Sequence, residues 1–287
     1  MIHQLVTQWA GEAPIKQLCR VLEVSRSGYY AARQRANHAP VACADSVHAK
    51  AAFEASGKTY GSRRLSAALR AQGLDVGRHR CRTLMKANGL RPKWRRKFVY
   101  TTNSKHGLPV AANVLNRQFT PDKPNVAWVS DVTYIRTRSG WLYLAAVLEL
   151  YSRKIVGWAM APTMPAQLVC DALVMAIGTR QPLPGLIIHS DQGSQYASAE
   201  HTKLLNRHGL VASMSRKGNC WDNAVMERFF LNLKMERVWH RDYANHAEAK
   251  LDIADYIVSF YNAIRLHSSL GYCAPAEYER RTEVPTD

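Results

Sequence analysis

Between residues 125 and 240 the hydrophobic pattern changes period several times, and the order of the changes leaves few folds open. Three strand-like runs (127–136, 141–149 and 153–161) are separated by turns too short to hold a helix. A helical run follows at 166–180, then strand 186–190, helix 199–208, strand 210–214 and helix 220–238. Strands joined by short turns pair antiparallel, whereas parallel pairing needs a crossover such as a helix. The expected fold class is therefore α/β, a mixed five-stranded sheet flanked by helices.

Three carboxylates fall at informative places in this pattern. Asp131 interrupts AWVSDVTYI, a β-rich run whose interior would make a lone carboxylate expensive without a partner. Asp191 ends the short buried strand of LPGLIIHSDQGSQY (183–196), the end at which open α/β sheets place their chemistry. Glu227 lies in SRKGNCWDNAVMERFFLNLK (215–234). There Asn219 reads as a helix N-cap and Asp222 as an acid reaching back to free amides, so a helix should start near Cys220. At about 100° per residue, Trp221, Val225, Phe229 and Leu233 form an apolar stripe, with Asn223, Glu227 and Lys234 roughly opposite. Taken singly, the three acids also read as a strand-edge acid, a turn residue and a solvated helix face. His189 is expected to be packed or hydrogen-bonded.

Taken together, these strings resemble the DDE transposases of bacterial insertion sequences, the OrfB type with a catalytic core similar to that of retroviral integrases. The resemblance rests on the strand around Asp131, on HSDQGSQY, on GNCWDNAVMERFF with 35 residues between Asp191 and Glu227, on Lys234, and on YNAIRLHSSLGYCAP (261–275). It implies a ribonuclease H-like core in which Asp131, Asp191 and Glu227 converge as catalytic residues and metal ligands. In-line attack on a phosphodiester by water or a 3′-hydroxyl suits two Mg²⁺ ions about 3.5–4 Å apart, with Mn²⁺ as the alternative ion. The implied reaction is cleavage at a transposon end followed by strand transfer, with no covalent intermediate and no ATP. Arg216, Lys217, Asn223 and Lys234 are candidates for holding DNA beside the acids. One departure stands out: Glu149 occupies a place where the family usually has Asp, and it is taken as a supporting or structural acid. The closing-motif residues Tyr261, Asn262, Arg265 and His267 either buttress the core or touch DNA.

The basic charge is segregated. Of a formal net +17, residues 1–122 carry 21 Lys and Arg against 6 Asp and Glu, and residues 123–287 carry 18 against 16. A basic half joined to a nearly neutral one argues for nucleic-acid-binding modules in front of a working domain. Residues 14–36 read as two helices joined by a turn at 23–25, with Ser25 as cap. This helix-turn-helix pattern offers Arg26, Tyr29, Tyr30 and Arg33 to DNA. Residues 44–90 read as three helices carrying Arg63, Arg64, Arg78, Arg80 and Arg82, and they too resemble a helix-turn-helix segment of the same family. RPKWRRK (91–97) then sets Lys93, Arg95 and Arg96 around Trp94, as a DNA-tracking arm or a solvated linker.

The expected organisation is a helix-turn-helix at 1–40, a second all-α module at 41–90, a basic linker at 91–124, the catalytic core at 125–240 and a helical extension at 241–287. Six scattered cysteines give no zinc-finger spacing. No secretory signal and no run of about 18 apolar residues is visible, so the expected setting is the prokaryotic cytoplasm, at the nucleoid. Expected partners are terminal inverted repeats, target DNA, further copies in a synaptic complex, and a helix-turn-helix/zipper partner or fusion from an upstream reading frame. A DNA-binding regulator with a dead core and a ribonuclease H-like nuclease or resolvase are the alternatives.

Overall fold

A computed structural model describes residues 2–37, 43–93, 109–216 and 220–282. The front of the chain forms two small helical units. Helices α1 (Ile2–Trp9), α2 (Ile15–Val21) and α3 (Arg26–Asn37) close around Val6, Leu18, Cys19 and Tyr29. Ser25 Oγ accepts the Gly28 amide at 3.0 Å and caps α3 as expected. Two findings differ from the sequence reading. Helix α1 was not anticipated, although Ile2, Leu5, Val6 and Trp9 recur at helical spacing; of these only Val6 is buried. Tyr29, offered to DNA, is core and 1% exposed.

The second unit comprises α4 (Ala44–Ala55), α5 (Ser62–Ala71) and α6 (Arg78–Ala87), packed through Phe53, Leu65, Leu69, Cys81 and Leu84. Gly73 and Gly89 follow α5 and α6 with φ of +82° and +64°, a left-handed turn that glycine adopts without steric cost. Trp94, Arg95, Arg96, Lys217 and Asn219 lie outside the described residues.

Five strands build the sheet: β1 (Ala127–Thr137), β2 (Gly140–Glu149), β3 (Ile155–Ala161), β4 (Ile187–Ser190) and β5 (Val211–Met214), in the order β3-β2-β1-β4-β5. β1–β2 and β2–β3 pair antiparallel, and β1–β4 and β4–β5 parallel, so the predicted mixed sheet is observed. Helices α7 (Ala166–Arg180) and α8 (Ala199–Arg207) make the parallel crossovers. α7 lies so close to β3 that a Cβ built on Gly157 would stand 2.2 Å from the Ala172 carbonyl oxygen.

The opposite face is covered by α9 (Ala224–Glu236), α10 (His246–Asp255), its π-helical continuation Tyr256–Asn262, and α11 (Pro275–Thr282). One hydrophobic cluster joins Val129, Ile135 and Leu144 of the sheet to Phe229, Leu233, Ile253 and Tyr261. The segment after residue 240 is therefore part of the same core as the sheet. Its closing motif buttresses that core at two points. The Asn262 side chain makes two 2.9 Å bonds to the backbone of Ile155, and Arg265, 1% exposed, donates to Glu236 at 2.8 Å.

Glu149 is fully buried at the end of β2 and accepts from the amides of Tyr151 and Ser152, at 2.9 and 2.6 Å, which makes it the acid that shapes the β2–β3 turn.

Candidate active site

The parallel register sets Val129 opposite His189, and β1 pairs with β4 only over Ala127–Val129. Two residues further along come Asp131, still within β1, and Asp191, the residue after β4, beyond the point where the ladder ends. Both line one cavity, and the charge of Asp191 acts on Asp131, so the two carboxylates are neighbours. Past Val129 the β4-facing edge of β1 is open, and a cavity of about 280 Å³ lies there. Asp131, Thr133, Tyr134, Trp141, Asp191 and Gln195 contribute to its lining.

Each acid is oriented by a local amide: Val132 N–H donates to Asp131 Oδ1 at 2.7 Å, and Gly193 N–H to Asp191 Oδ1 at 2.9 Å. Burial raises the Asp131 carboxyl well above the usual range, and the charge of Asp191 raises it further. The Val132 amide and Lys234 work against this, while the charge of Glu227 adds to it. His189, fully buried, bridges β4 to the β5 region through Ser213 Oγ (2.8 Å) and Ser215 Oγ (3.1 Å), the packed role expected of it.

Glu227 sits in the first turn of α9, exposed, with its carboxyl raised by partial burial. It is close enough to act on the charge of Asp131, yet it does not line the cavity. Among the described residues no three His, Cys, Asp or Glu side chains are grouped to hold a metal ion. The structure thus brings Asp131 and Asp191 together and leaves Glu227 at the rim, because Met226, Phe229, Phe230 and Leu233 fix the opposite face of α9 in the core. The pair itself fits a divalent cation: two hard-oxygen ligands, half-buried, whose mutual repulsion a dication would relieve.

The start of α9 bears on two expectations. The helical stretch opens at Cys220 as a 3-10 turn, Cys220–Asn223, with α9 proper following from Ala224, and the amide that Asp222 reaches back to is that of Arg216, ahead of the turn. Fully buried, Asp222 accepts from Arg216 N–H (2.9 Å), Arg117 Nε (2.7 Å) and Asn113 Nδ2 (3.0 Å). Arg216, first among these partners, holds its carboxyl far below the usual range. Asn223, expected to touch DNA, is 5% exposed, and its Nδ2 donates to the Ser130 carbonyl at 3.3 Å. It ties α9 to β1 and is not available to a ligand on the surface.

The remaining DNA candidates divide by exposure. Arg26, Tyr30, Arg33, Arg63, Arg78, Arg80 and Arg82 are exposed, although Arg80 also pairs with Asp45 at 3.2 Å. Arg64 and Lys93 are half-buried. Arg216 pairs with Asp222 while 53% of its side chain stays exposed, and Lys234 Nζ lies 4.5 Å from the centroid of the Tyr134 ring. Sequence reading passed over the aromatic wall of Tyr134, Trp141 and Tyr143; its signal was the alternation of large residues along β1 and β2 beyond Asp131.

Residues 121–220 and 208–275 match two integrase core domain families, and residues 42–98 match an HTH-like domain. The class is that of the DNA polynucleotidyl transferases with a ribonuclease H-like core. The InsF transposase of insertion sequence IS3A from Escherichia coli K12 is 40% identical over 285 residues, covering 98% of this chain and 99% of that protein. An uncharacterized 31 kDa protein of insertion element IS600 from Shigella sonnei is 45% identical over 269 residues, covering 92% of this chain and 98% of that protein. The chain belongs to the IS3 family of insertion-sequence transposases.

Among solved structures, a chain of the simian T-cell lymphotropic virus intasome aligns with a TM-score of 0.48 at 14% identity, covering 77% of this chain and 71% of that one. The HTLV-2 integrase catalytic core, solved in complex with magnesium, aligns with a TM-score of 0.41 at 16% identity, covering 54% and 96%.

Proposed function

We propose that the chain cleaves transposon ends and joins them to target DNA at Asp131, Asp191 and Glu227. The observation that carries this reading is the placement of Asp131 and Asp191 in one cavity, just past the point where the parallel β1–β4 pairing ends, within a chain whose front half is strongly basic.

Asp131 and Asp191, joined by Glu227, are the residues that would hold two Mg²⁺ ions, with Mn²⁺ as the alternative. Bound there, the ions supply charge stabilisation for the attacking and leaving oxygens of an in-line displacement. The chain does the rest. The Val132 and Gly193 amides orient the two aspartates, and Asn223 anchors the helix that carries Glu227. Lys234, over Tyr134 and drawn toward the charge of Asp131, holds a phosphate beside the acids. Arg26, Tyr30, Arg33, Arg63, Arg78, Arg80 and Arg82 engage the terminal repeats, joined by Lys93 and the 94–96 tract.

The chain acts in a synaptic complex of several copies, with an upstream-frame partner or fusion, in the bacterial cytoplasm. Among the described residues no helix is long and apolar enough to cross a membrane.

The test is an oligonucleotide assay with the ends of the element. Asp131→Asn removes one negative charge at constant shape; end nicking and joining should vanish, while end-duplex affinity stays within about twofold. Retained joining, or loss of binding together with activity, would remove Asp131 from the site.

A further inference from the structure

The second helical unit meets the core along a seam organised by Tyr60. Its ring is 3% exposed; its hydroxyl donates to the Ile264 carbonyl at 3.2 Å and accepts the Leu266 amide at 2.9 Å. Arg64, one turn into α5, places its guanidinium carbon 6.0 Å from the centroid of the Tyr60 ring. Across the seam, Tyr261 stacks edge-on against His267 at 4.9 Å, and the Arg265 guanidinium lies 5.7 Å from the Tyr261 centroid. The two bonds between Asn262 and Ile155 bring the β2–β3 turn, and with it Arg153, against the same segment.

This neighbourhood has more cations than it can balance. Arg64, Arg153 and Arg265 all act on the charge of His267; against these three cations stand Glu236, which Arg265 takes up, and Glu149, whose charge acts on Arg153. Arg64 and Arg153 have no ion pair among the described residues. Burial lowers the pKa of both guanidiniums from the ordinary value, although each remains half-buried and in reach of solvent. His267 is 8% exposed and its Nε2 is buried without a hydrogen-bond partner. Burial and then the three arginines push its pKa down to about 2, so the ring is neutral and keeps a single N–H to donate. Two guanidinium forks without an ion pair, beside a ring whose Nε2 has no partner and can carry the N–H, suit the oxygens of a phosphate group.

We propose that Arg64, Arg153 and His267 form a phosphate-binding notch at this seam, which takes one phosphodiester of the transposon-end duplex and so locks the second helical unit onto the core. The inference rests on the DNA-end reading above. It adds an anchor point that places the duplex bound by Arg63, Arg78 and Arg82 along the route to the acids.

The test measures binding of the full chain to the end duplex in EDTA, without chemistry, across a salt series. Removing one cation that neutralises a phosphate should lower the slope of log K against log salt by about 0.9. Arg64→Gln and Arg153→Asn should each do so, Asn being suited to the left-handed backbone at Arg153 (φ +62°). Arg153→Lys should restore the slope. Unchanged slopes in both variants overturn the proposal, and so does an Arg153→Lys protein that behaves like Arg153→Asn, because the effect is then structural. Inorganic phosphate is compared with chloride at equal ionic strength by thermal melting. Stabilisation of the wild type by phosphate with no change in the DNA slopes overturns the assignment to DNA. Strand joining is assayed separately in Mg²⁺, so a chain that fails to join but shows the slope change loses the proposed chemistry and keeps the notch.

Discussion

Asn223 Nδ2 donates to the backbone carbonyl of Ser130 at 3.3 Å, so the residue before the Glu227 helix is bonded to the residue before Asp131. Two acids 96 positions apart in sequence therefore have their backbones tied at one point. The helix is otherwise held by apolar packing, which resists separation more than it resists sliding.

Asn223→Ala should leave the fold intact at a cost of about 1 kcal/mol for the missing bond. Misplacing a catalytic group by about 1 Å can cost about 10²-fold in rate. End joining should fall by about 10- to 100-fold with end-duplex affinity unchanged, as read by single-turnover assays alongside a binding titration. A proportional loss of affinity would return Asn223 to the DNA-binding role that the sequence suggested.

Gly193 is constrained by the carboxylate it serves. A Cβ there would stand 2.9 Å from Asp191 Oδ1 and 3.2 Å from Gln195 Oε1. Gly193→Ala should displace Asp191 from Asp131 and cut joining by at least about tenfold. Thermal stability should change little, since the residue lies outside the hydrophobic clusters. Wild-type joining by Gly193→Ala would show that the Asp191 position is not critical.

Arg265 and Glu236 form a buried ion pair to which the Tyr256 hydroxyl also donates, at 2.6 Å. Removing one member strands a buried charge, at a cost of about 3–5 kcal/mol. Arg265→Met should therefore lower the urea midpoint sharply, and adding Glu236→Gln should recover part of the loss. A double variant less stable than Arg265→Met would contradict this account.

His201, 3% exposed, is bonded through Nδ1 to the Tyr196 carbonyl at 3.1 Å, and burial lowers its pKa to about 4. In the unfolded chain a histidine titrates near about 6.5, so as pH falls the unfolded state takes up the proton first. Stability conferred by the neutral ring is present above about pH 6.5 and is lost toward pH 4, at up to about 1.4 kcal/mol per pH unit. The raised carboxyls of Asp131 and Glu227 act in the opposite sense, so the comparison must isolate the histidine. The drop in Tm between pH 7 and pH 5 should be smaller in His201→Gln than in the wild type; equal drops would exclude His201 as a source of acid sensitivity.

The sheet was readable because each change of period in 125–240 is a local signal, and Asp131 because a charge inside a β-rich run is locally anomalous. Asp222 was not readable. An acid near the start of a helix looks like a cap, while its partners Asn113 and Arg117 lie about a hundred residues upstream and reach it only through the fold. Asn223 was misread for a related reason: its position opposite the apolar stripe suggested exposure, but β1 covers it. The side-by-side aspartates follow from the neighbouring of β1 and β4, which the resemblance implied and the periodicity alone did not, whereas the distance of Glu227 depends on how α9 settles on the core, which no periodicity encodes. The two uses left open for Asn262 and Arg265 were separated only when their partners, Ile155 and Glu236, could be seen.

Glu279, in α11, bonds Ser152 Oγ at 2.9 Å, Lys154 at 2.7 Å and Arg180 at 2.8 Å, so the β2–β3 corner and the end of α7 share one carboxylate. Those cations are synthesised about a hundred residues before their counter-charge, and at about 5–20 residues per second the interval is several seconds. During translation the sheet therefore spends that time with an unneutralised corner. The counter-charge comes with α11, the last element in the chain order, which makes that helix a late fastening between the β2–β3 corner and the end of α7.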